Sequence, residues 1–185
     1  MVREPPPRIA QAITRQRHKP ATKRAALPLK LLGLAPEVIT GTTRQVQVCY
    51  DDPAFAPDLG AVAKATGLSE DAVINAHLTG DYKVLMYGFA PGYAYLAGVA
   101  EAIQVPRKQS AVRDVPAGSV IIAGPQALVT TVTMPTGWSI IGRSPTQIFT
   151  GREDNPFLMD VGDKVVFERI SKAEFDDLER RTRHG

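Results

Sequence analysis

The feature that most limits the fold of this chain is a run of short apolar segments, separated by glycine and proline, between residues 82 and 170. The segments read YKVLMYGF, GSVIIAG, ALVTTVTM, WSIIG, TQIF and DKVVFERI. Short runs rich in β-branched and aromatic residues and bounded by turn residues predict β-strands. Many short strands at such spacing are typical of a closed barrel or a sandwich. We therefore expect a mainly β fold.

Helical patterns flank this β region. A first helix is predicted to begin near Asp58 and to end at Gly67, and a second to begin after Ser69 and to end at Gly80. A terminal helix is predicted after Ser171. The first two helices could form a DNA-binding helix-turn-helix, but no Lys or Arg lies between Gly67 and Gly80. Without cations to meet phosphates, a simple helical hairpin is the favoured interpretation.

Charge divides the chain into a basic segment and a mildly acidic body. Residues 1–44 contain nine Lys/Arg and two Asp/Glu, whereas the other 141 residues contain 13 and 17. The first segment is also rich in proline, which predicts a partly disordered segment or a truncated subdomain. We predict one domain over residues 45–178 and a basic tail over 179–185.

Several classes of function lack their sequence signals. The chain has no apolar run of about 18 residues, no signal-peptide pattern, no phosphate-binding P-loop, no nucleophile elbow and no zinc-ligand spacing. We expect no metal site, no membrane and no nucleic acid among its partners. The single cysteine, Cys49, excludes an internal disulfide and fits a cytoplasmic location; a buried, inert thiol is expected there. A self-sufficient active site is hard to assemble from these residues, which predicts a subunit that shares its site with a partner.

The stretch GFAPGYAYLAG, residues 88–98, is the most distinctive candidate site. It is interpreted as a loop in which Gly92 allows a positive φ angle or a close backbone approach. Tyr93 and Tyr95 would then provide an apolar wall and two hydroxyls for a small polar ligand. The alternative is a turn that only locks the rim of the barrel.

Cations near residue 110 form a second candidate site. Arg107, Lys108 and Arg113 lie in a predicted loop, where they could bind a carboxylate or phosphate or simply face solvent. Trp138 could line a pocket or fill a core. Arg143, before Ser-Pro, could bind an anion or fix a turn.

His77 is a candidate general base near the end of the second helix. Such a role requires a partner and a cleft. A lone histidine at a helix C-terminus more often interacts only with the helix dipole.

The order of the motifs resembles a known family. CYDDPAFAPDL, YKVLMYGFAPGYAYLAG, VPRK, VPAGSVIIAG, PTGWSIIGRSP and VGDKVVF follow one another between about Val46 and Phe175. This pattern resembles the allophanate hydrolase subunit 1 family, also called the KipI family or the family of 5-oxoprolinase B subunits. The resemblance implies a cyclophilin-like β-barrel with a flanking helix pair and a terminal helix.

The resemblance also implies function. The expected partners are a larger homologous protein, of the allophanate hydrolase subunit 2 or 5-oxoprolinase C-subunit type, and a third 5-oxoprolinase subunit. The expected reaction is ATP-dependent opening of a lactam or another small-molecule amide, with Mg²⁺ accompanying ATP. The alternatives are inhibition of a histidine kinase and a carboxyltransferase role in a biotin-dependent urea carboxylase.

Within the lactam-opening reaction, individual residues receive expected roles. Lys108, Arg107 and Arg143 would stabilise developing charge. His77 and Gln126 would orient the substrate.

Overall fold

The computed structural model describes residues 41–184, so residues 1–40 of the predicted basic segment lie outside the described part. Within residues 41–184 there are nine strands, three helices and a short 3-10 turn at Glu101–Ile103. The elements are β1 (Thr43–Val48), α1 (Leu59–Thr66), α2 (Glu70–Leu78), β2 (Tyr82–Tyr87), β3 (Ala94–Ala97), β4 (Val112–Val115), β5 (Ser119–Ala123), β6 (Gln126–Val129), β7 (Met134–Thr136), β8 (Ser139–Arg143), β9 (Lys164–Arg169) and α3 (Lys172–His184).

Seven strands form a nearly closed barrel, in the order β1-β9-β2-β3-β6-β5-β8. β1 is parallel to β9, and the other neighbours are antiparallel. The two ends of the sheet meet at Cys49 and Arg143, which exchange backbone hydrogen bonds of 2.8 and 3.0 Å. The mainly β, barrel-like prediction is confirmed.

The barrel has two cores because part of its sheet is covered on both faces. Val120 and Ile122 of β5 point into the main core, whereas Ile121 and Ala123 point outward into a second core. The two-stranded sheet of β4 and β7 contributes Val115 and Met134 to that second core. A strand that is buried on both faces has an unbroken apolar sequence, as SVIIA does.

The first helix ends and the second begins as the sequence predicts, whereas α2 ends at Leu78, with Thr79 as its C-cap, just before the predicted Gly80. Gly67 closes α1 in the left-handed region (φ 72°), which glycine adopts without a side-chain clash. The Ser69 hydroxyl accepts a hydrogen bond from the Ala72 N–H (3.2 Å) and caps α2. Buried side chains from both helices join the main core: Leu59, Val62, Ala63, Val73 and Ile74.

The terminal helix is also confirmed. The Ser171 N–H donates to Glu174 Oε2 (2.7 Å), and the Glu174 N–H donates to Ser171 Oγ (3.3 Å). This reciprocal capping box starts α3 at Lys172. α3 continues to His184, so residues 179–184 of the predicted basic tail extend the helix rather than follow it. No helix among the described residues is long and apolar enough to cross a membrane.

Four local predictions were wrong. ALVTTVTM, predicted as one strand, is divided between β6, which ends at Val129, and β7, which begins at Met134. The predicted loop at residues 88–98 contains β3, and the predicted cationic loop contains β4, which places Arg113 on a strand. TQIF, predicted as a strand, forms only an isolated bridge between Phe149 and Phe157. β3 and β4 have four residues each, and both owe their conformation to pairing with strands that are distant in sequence.

Candidate functional site

The loop at residues 88–93 is a compact turn between β2 and β3. The Gly88 N–H donates to the Tyr93 carbonyl oxygen (3.1 Å), and the Tyr93 N–H donates to the Ala90 carbonyl oxygen (3.1 Å). Gly92 has φ 69°, as its sequence context predicted. A Cβ atom on Gly92 would lie 3.0 Å from the Phe157 ring, so the backbone angle and the limited space both favour glycine.

Four aromatic side chains follow one another from this loop onto the outer surface of the barrel. The ring centroids are 5.5 Å apart for Phe89 and Tyr93, 5.5 Å for Tyr93 and Tyr95, and 6.0 Å for Tyr95 and Trp138. We call Phe89, Tyr93, Tyr95 and Trp138 the aromatic face. Trp138 and Tyr93 belong to the second core, whereas Phe89 is 74% exposed. The aromatic face is therefore anchored in the core at one end and open at the other.

Arg107 lies beside the aromatic face. Its Nε and Nη2 atoms lie 3.8 Å from the Cβ position of Gly137, which is the residue before Trp138. Burial raises the pKa of Tyr93 to about 12, Tyr95 adds to the rise, and the positive charge of Arg107 opposes it. The Tyr93 hydroxyl is therefore protonated at neutral pH and can donate a hydrogen bond. Exposed Arg107 can bind an anionic group next to it.

Lys108, predicted as a catalytic residue, is held by a carboxylate. Its Nζ forms an ion pair with Asp58 Oδ2, and the same oxygen accepts the Ile140 N–H at 2.7 Å. The Lys108 N–H also donates to the Gly137 carbonyl oxygen (2.7 Å). These contacts fix the segment that presents Arg107. The sequence suggests Asp58 only as the residue at the start of α1. Its side chain makes no capping hydrogen bond there, and the ion pair with Lys108 was not predicted.

His77 lies in the core rather than at the aromatic face. It is fully buried, and its Nδ1 is 2.8 Å from the Tyr50 hydroxyl. Its ring packs 4.4 Å from the ring of Phe167, centroid to centroid. Burial lowers the pKa of His77 to about 3, so the ring is neutral at pH 7. A side chain without exposed surface cannot touch a substrate in this conformation, and the predicted catalytic role of His77 has no support from its position.

The remaining predicted residues are spread over the barrel. Gln126 begins β6 and pairs with Ala97 and Ala123. Arg113 is exposed on β4. The Arg143 guanidinium lies 5.2 Å from the Phe55 ring centroid and 5.9 Å from that of Phe175, so it stacks under α3. Of the predicted binding residues, the structure brings together Gly92, Tyr93, Tyr95, Arg107 and Trp138, and it separates Arg143 from them.

A cleft of about 640 Å³ lies elsewhere, between the helix pair and the ends of β1 and β9. Tyr50, Asp51, Glu70, Asp71 and Arg169 are among its lining residues. Arg169 bridges Asp51 (2.5 Å) and Asp71 (3.2 Å) across it. None of the predicted site residues lines this cleft. Among residues 41–184, no group of three or more His, Cys, Asp or Glu side chains is arranged to hold a metal ion.

Comparison with known proteins places these features in a family. Residues 11–159 match the family described as the carboxyltransferase domain, subdomain C and D. The chain is similar to the B subunit of 5-oxoprolinase from Bacillus subtilis (strain 168), with 44% identity over 131 residues, which are 71% of this chain and 54% of that protein. The chain therefore spans about half the length of this curated relative.

Solved structures agree with this assignment. A conserved uncharacterized protein from Pyrococcus horikoshii superposes with a TM-score of 0.68 and 42% identity, over 72% of this chain and 62% of that one. The urea amidolyase of K. lactis superposes with a TM-score of 0.64 over 74% of this chain and 10% of that one, at 15% identity. The second likeness concerns the fold alone, and it shows that this fold also occurs as a small part of a long chain.

Proposed function

Because this chain belongs to the carboxyltransferase-domain family of subdomains C and D, and within it to the group of KipI and the 5-oxoprolinase B subunits, we propose that it is the small subunit of an ATP-dependent 5-oxoprolinase-type hydrolase. It acts with a larger homologous protein of the 5-oxoprolinase C-subunit type and with a third subunit. The complex opens a lactam or a related amide. The buried Cys49 thiol is compatible with a reducing cytoplasm, where we place the complex.

The observation that carries this proposal is the meeting of Arg107 with the aromatic face. A lactam such as 5-oxoproline has a carboxylate, a small apolar ring and an amide. Arg107 pairs with the carboxylate, and the rings of Tyr95 and Phe89 cover the apolar part of the substrate. The Tyr93 hydroxyl, which is protonated at neutral pH, donates a hydrogen bond to a substrate oxygen.

The described residues supply binding groups rather than a complete set of catalytic groups. Lys108 is engaged by Asp58, and His77 is buried. No described cluster suits Mg²⁺, and no phosphate-binding loop is apparent in the sequence. We therefore assign ATP and Mg²⁺ to the other subunits. The role of this chain is to bind and orient the amide while the partner subunits provide phosphoryl transfer.

The test is Arg107→Gln in the reconstituted complex. Loss of the guanidinium should raise KM for 5-oxoproline about tenfold or more, since a charge-assisted hydrogen bond contributes about 1.5–3 kcal/mol, with a smaller change in kcat. Arg152→Gln is the matched control, because Arg152 is exposed and pairs with the exposed Asp154.

Equal KM values for Arg107→Gln, Arg152→Gln and the unaltered chain would contradict the proposed substrate site. A complex that carboxylates urea with biotin, or a chain that inhibits a histidine kinase without any turnover, would instead support one of the two alternative functions.

A further inference from the structure

We propose that the larger subunit docks on the open end of the aromatic face, with Phe89 as its anchor, and that this docking encloses the substrate site. The inference rests on the proposed function and adds to it the surface at which the two subunits meet.

The backbone of Phe89 adopts a conformation that is unfavourable for a bulky side chain. Its φ angle is 69°, in the left-handed region, which is unfavourable for a bulky residue other than glycine. Its side chain is 74% exposed and gains little burial in return. A strained backbone that presents an exposed aromatic ring points to a function for that ring.

The residues next to Phe89 extend the apolar surface. Seven large hydrophobic side chains are exposed within residues 41–184, and three of them are Leu85, Met86 and Phe89. Met86 pairs with Tyr95 across β2 and β3, which joins it to the aromatic face. Phe89 in turn stacks on Tyr93, and Tyr93 on Tyr95, so exposed Met86 and exposed Phe89 are joined through one set of rings. Exposed apolar patches of this kind mark interaction sites.

The charge beside this patch bears on the choice of partner. Arg107 is exposed, and it has no ion pair with a described carboxylate. A second copy of this chain, docked through the same face, would bring two Arg107 side chains together. The complementary surface is therefore apolar where it covers Phe89 and carries no cation opposite Arg107, which favours a different partner over a homodimer and leaves the Arg107 guanidinium to the substrate carboxylate.

Docking at this place would also complete the substrate site. Sites for small molecules bury most of the ligand surface, whereas the outer end of the aromatic face is open. A partner that covers Phe89 would exclude water from the space between Arg107 and Tyr95 and would strengthen the ion pair with the substrate carboxylate. The larger subunit of the proposed complex is the partner that must approach this substrate, and we assign it to this surface.

Phe89→Gly tests the proposal because it removes the ring and relieves the backbone at the same time. The midpoint of thermal unfolding of the full chain should stay unchanged or rise, while the Kd for the purified larger subunit, measured by calorimetric titration without substrate, should increase at least tenfold. Val166→Ser is the control, because Val166 is another exposed apolar residue (37%) but lies on β9. Its Kd should equal that of the unaltered chain.

A second variant separates docking from substrate binding. Arg107→Gln should leave the Kd for the larger subunit, measured without substrate, within about twofold of the unaltered value, because the guanidinium pairs with the substrate carboxylate rather than with the partner. A Kd that Phe89→Gly leaves unchanged would overturn the docking proposal, even if the complex opens 5-oxoproline. A Kd raised by Phe89→Gly in a complex that does not open 5-oxoproline would support the docking surface and contradict the proposed function. Absence of any complex between the unaltered chain and the larger subunit would overturn both.

Discussion

The Tyr50 hydroxyl lies 2.8 Å from His77 Nδ1, and both side chains are buried in the main core. Within the described residues, His77 Nε2 has no hydrogen-bond partner. A neutral ring can make this hydrogen bond, whereas a protonated ring would place a charge among Tyr82 and Phe167, whose rings pack against it. The free energy of unfolding therefore depends on the protonation of His77.

This coupling predicts that the free energy of unfolding decreases as the pH falls from 6.5 toward 3. The unfolded chain binds a proton at His77 with a pKa near the ordinary value of 6.5, whereas the folded chain resists protonation until about pH 3. Above pH 6.5 the protonation of His77 does not reduce the free energy of unfolding. As the pH falls from 6.5 toward 3, the free energy of unfolding decreases by about 1.4 kcal/mol per pH unit. Urea unfolding between pH 7.5 and 4.5 measures the slope.

His77→Phe is the control for the pH experiment. It removes the titrating group, so the slope between pH 6.5 and 4.5 should flatten even if the absolute stability changes. Carboxylates whose pKa is lowered in the folded chain, such as Asp163 and Glu174, also lose their contribution as the pH falls toward their ordinary values of 3.8 and 4.5. Because they are present in both chains, the difference between the two slopes reports His77. A slope that is the same with and without His77 would contradict the assignment.

Asp163 is expected to be the carboxylate that matters most to the junction of β1 and β9. It is 3% exposed, and it accepts hydrogen bonds from the N–H groups of Thr42 (2.7 Å) and Asp160 (2.9 Å) and from Arg44 Nε (2.7 Å). Burial acts to raise the pKa of Asp163, but these donors lower it on balance. Asp163→Ala should reduce the free energy of unfolding by about 3 kcal/mol, because the donors would be left unpaired.

The matched control for Asp163 is Asp154→Ala. Asp154 pairs with Arg152 at 2.9 Å, but both side chains are about 70% exposed. Ion pairs of this kind contribute little, so Asp154→Ala should leave the midpoint of chemical denaturation close to that of the unaltered chain. Similar losses for the two variants would show that the Asp163 network does not stabilise the fold.

Alanine substitutions at Gly92 and Gly67 distinguish the cost of backbone strain from the cost of a steric clash. Both have φ near 70°, but a Cβ on Gly92 would lie 3.0 Å from Phe157 and 3.3 Å from Ile148, whereas a Cβ on Gly67 would meet nothing within 4 Å. Gly67→Ala should therefore cost only the strain, about 1 kcal/mol. Gly92→Ala should cost at least about 1 kcal/mol more. Thermal unfolding of both variants provides the comparison, and equal costs would contradict the packing described around the loop.

Asp58 and Lys108 are expected to be energetically coupled. Asp58→Ala leaves the Ile140 N–H and the Lys108 ammonium without their shared acceptor, and Lys108→Met leaves the carboxylate without its cation. Each single variant should lose about 1–3 kcal/mol of the free energy of unfolding. The double variant should lose less than the sum, by about 0.5 kcal/mol or more, in a double-mutant cycle. Strict additivity would show that the ion pair contributes nothing.

The sequence predicted the parts of the fold that depend on local patterns. The helix caps at Gly67 and Ser69, the positive φ at Gly92 and the apolar strand at 119–123 all follow from neighbouring residues, and the structure confirms them. The short strand β3 was not predicted, because its four residues, AYLA, are too few to show a period and lie in a glycine-rich stretch.

The candidate site was predictable only in part, because its supports come from distant segments. The bond from the Ile140 N–H to Asp58 spans 82 residues, and nothing near Asp58 in the sequence indicates it. Arg143 was grouped with the binding residues, but the rings of Phe55 and Phe175 hold it under α3. Contacts of this kind follow from the nearly closed barrel, which brings the end of β8 next to the end of β1.

The most direct test of the proposed function is the rate of ATP hydrolysis by the reconstituted complex, measured with and without 5-oxoproline and with each subunit omitted in turn. The proposal predicts that 5-oxoproline stimulates ATP hydrolysis and that the stimulation disappears when this chain is left out. The same rate of stimulated hydrolysis with and without this chain, or a full complex that does not respond to 5-oxoproline, would contradict it.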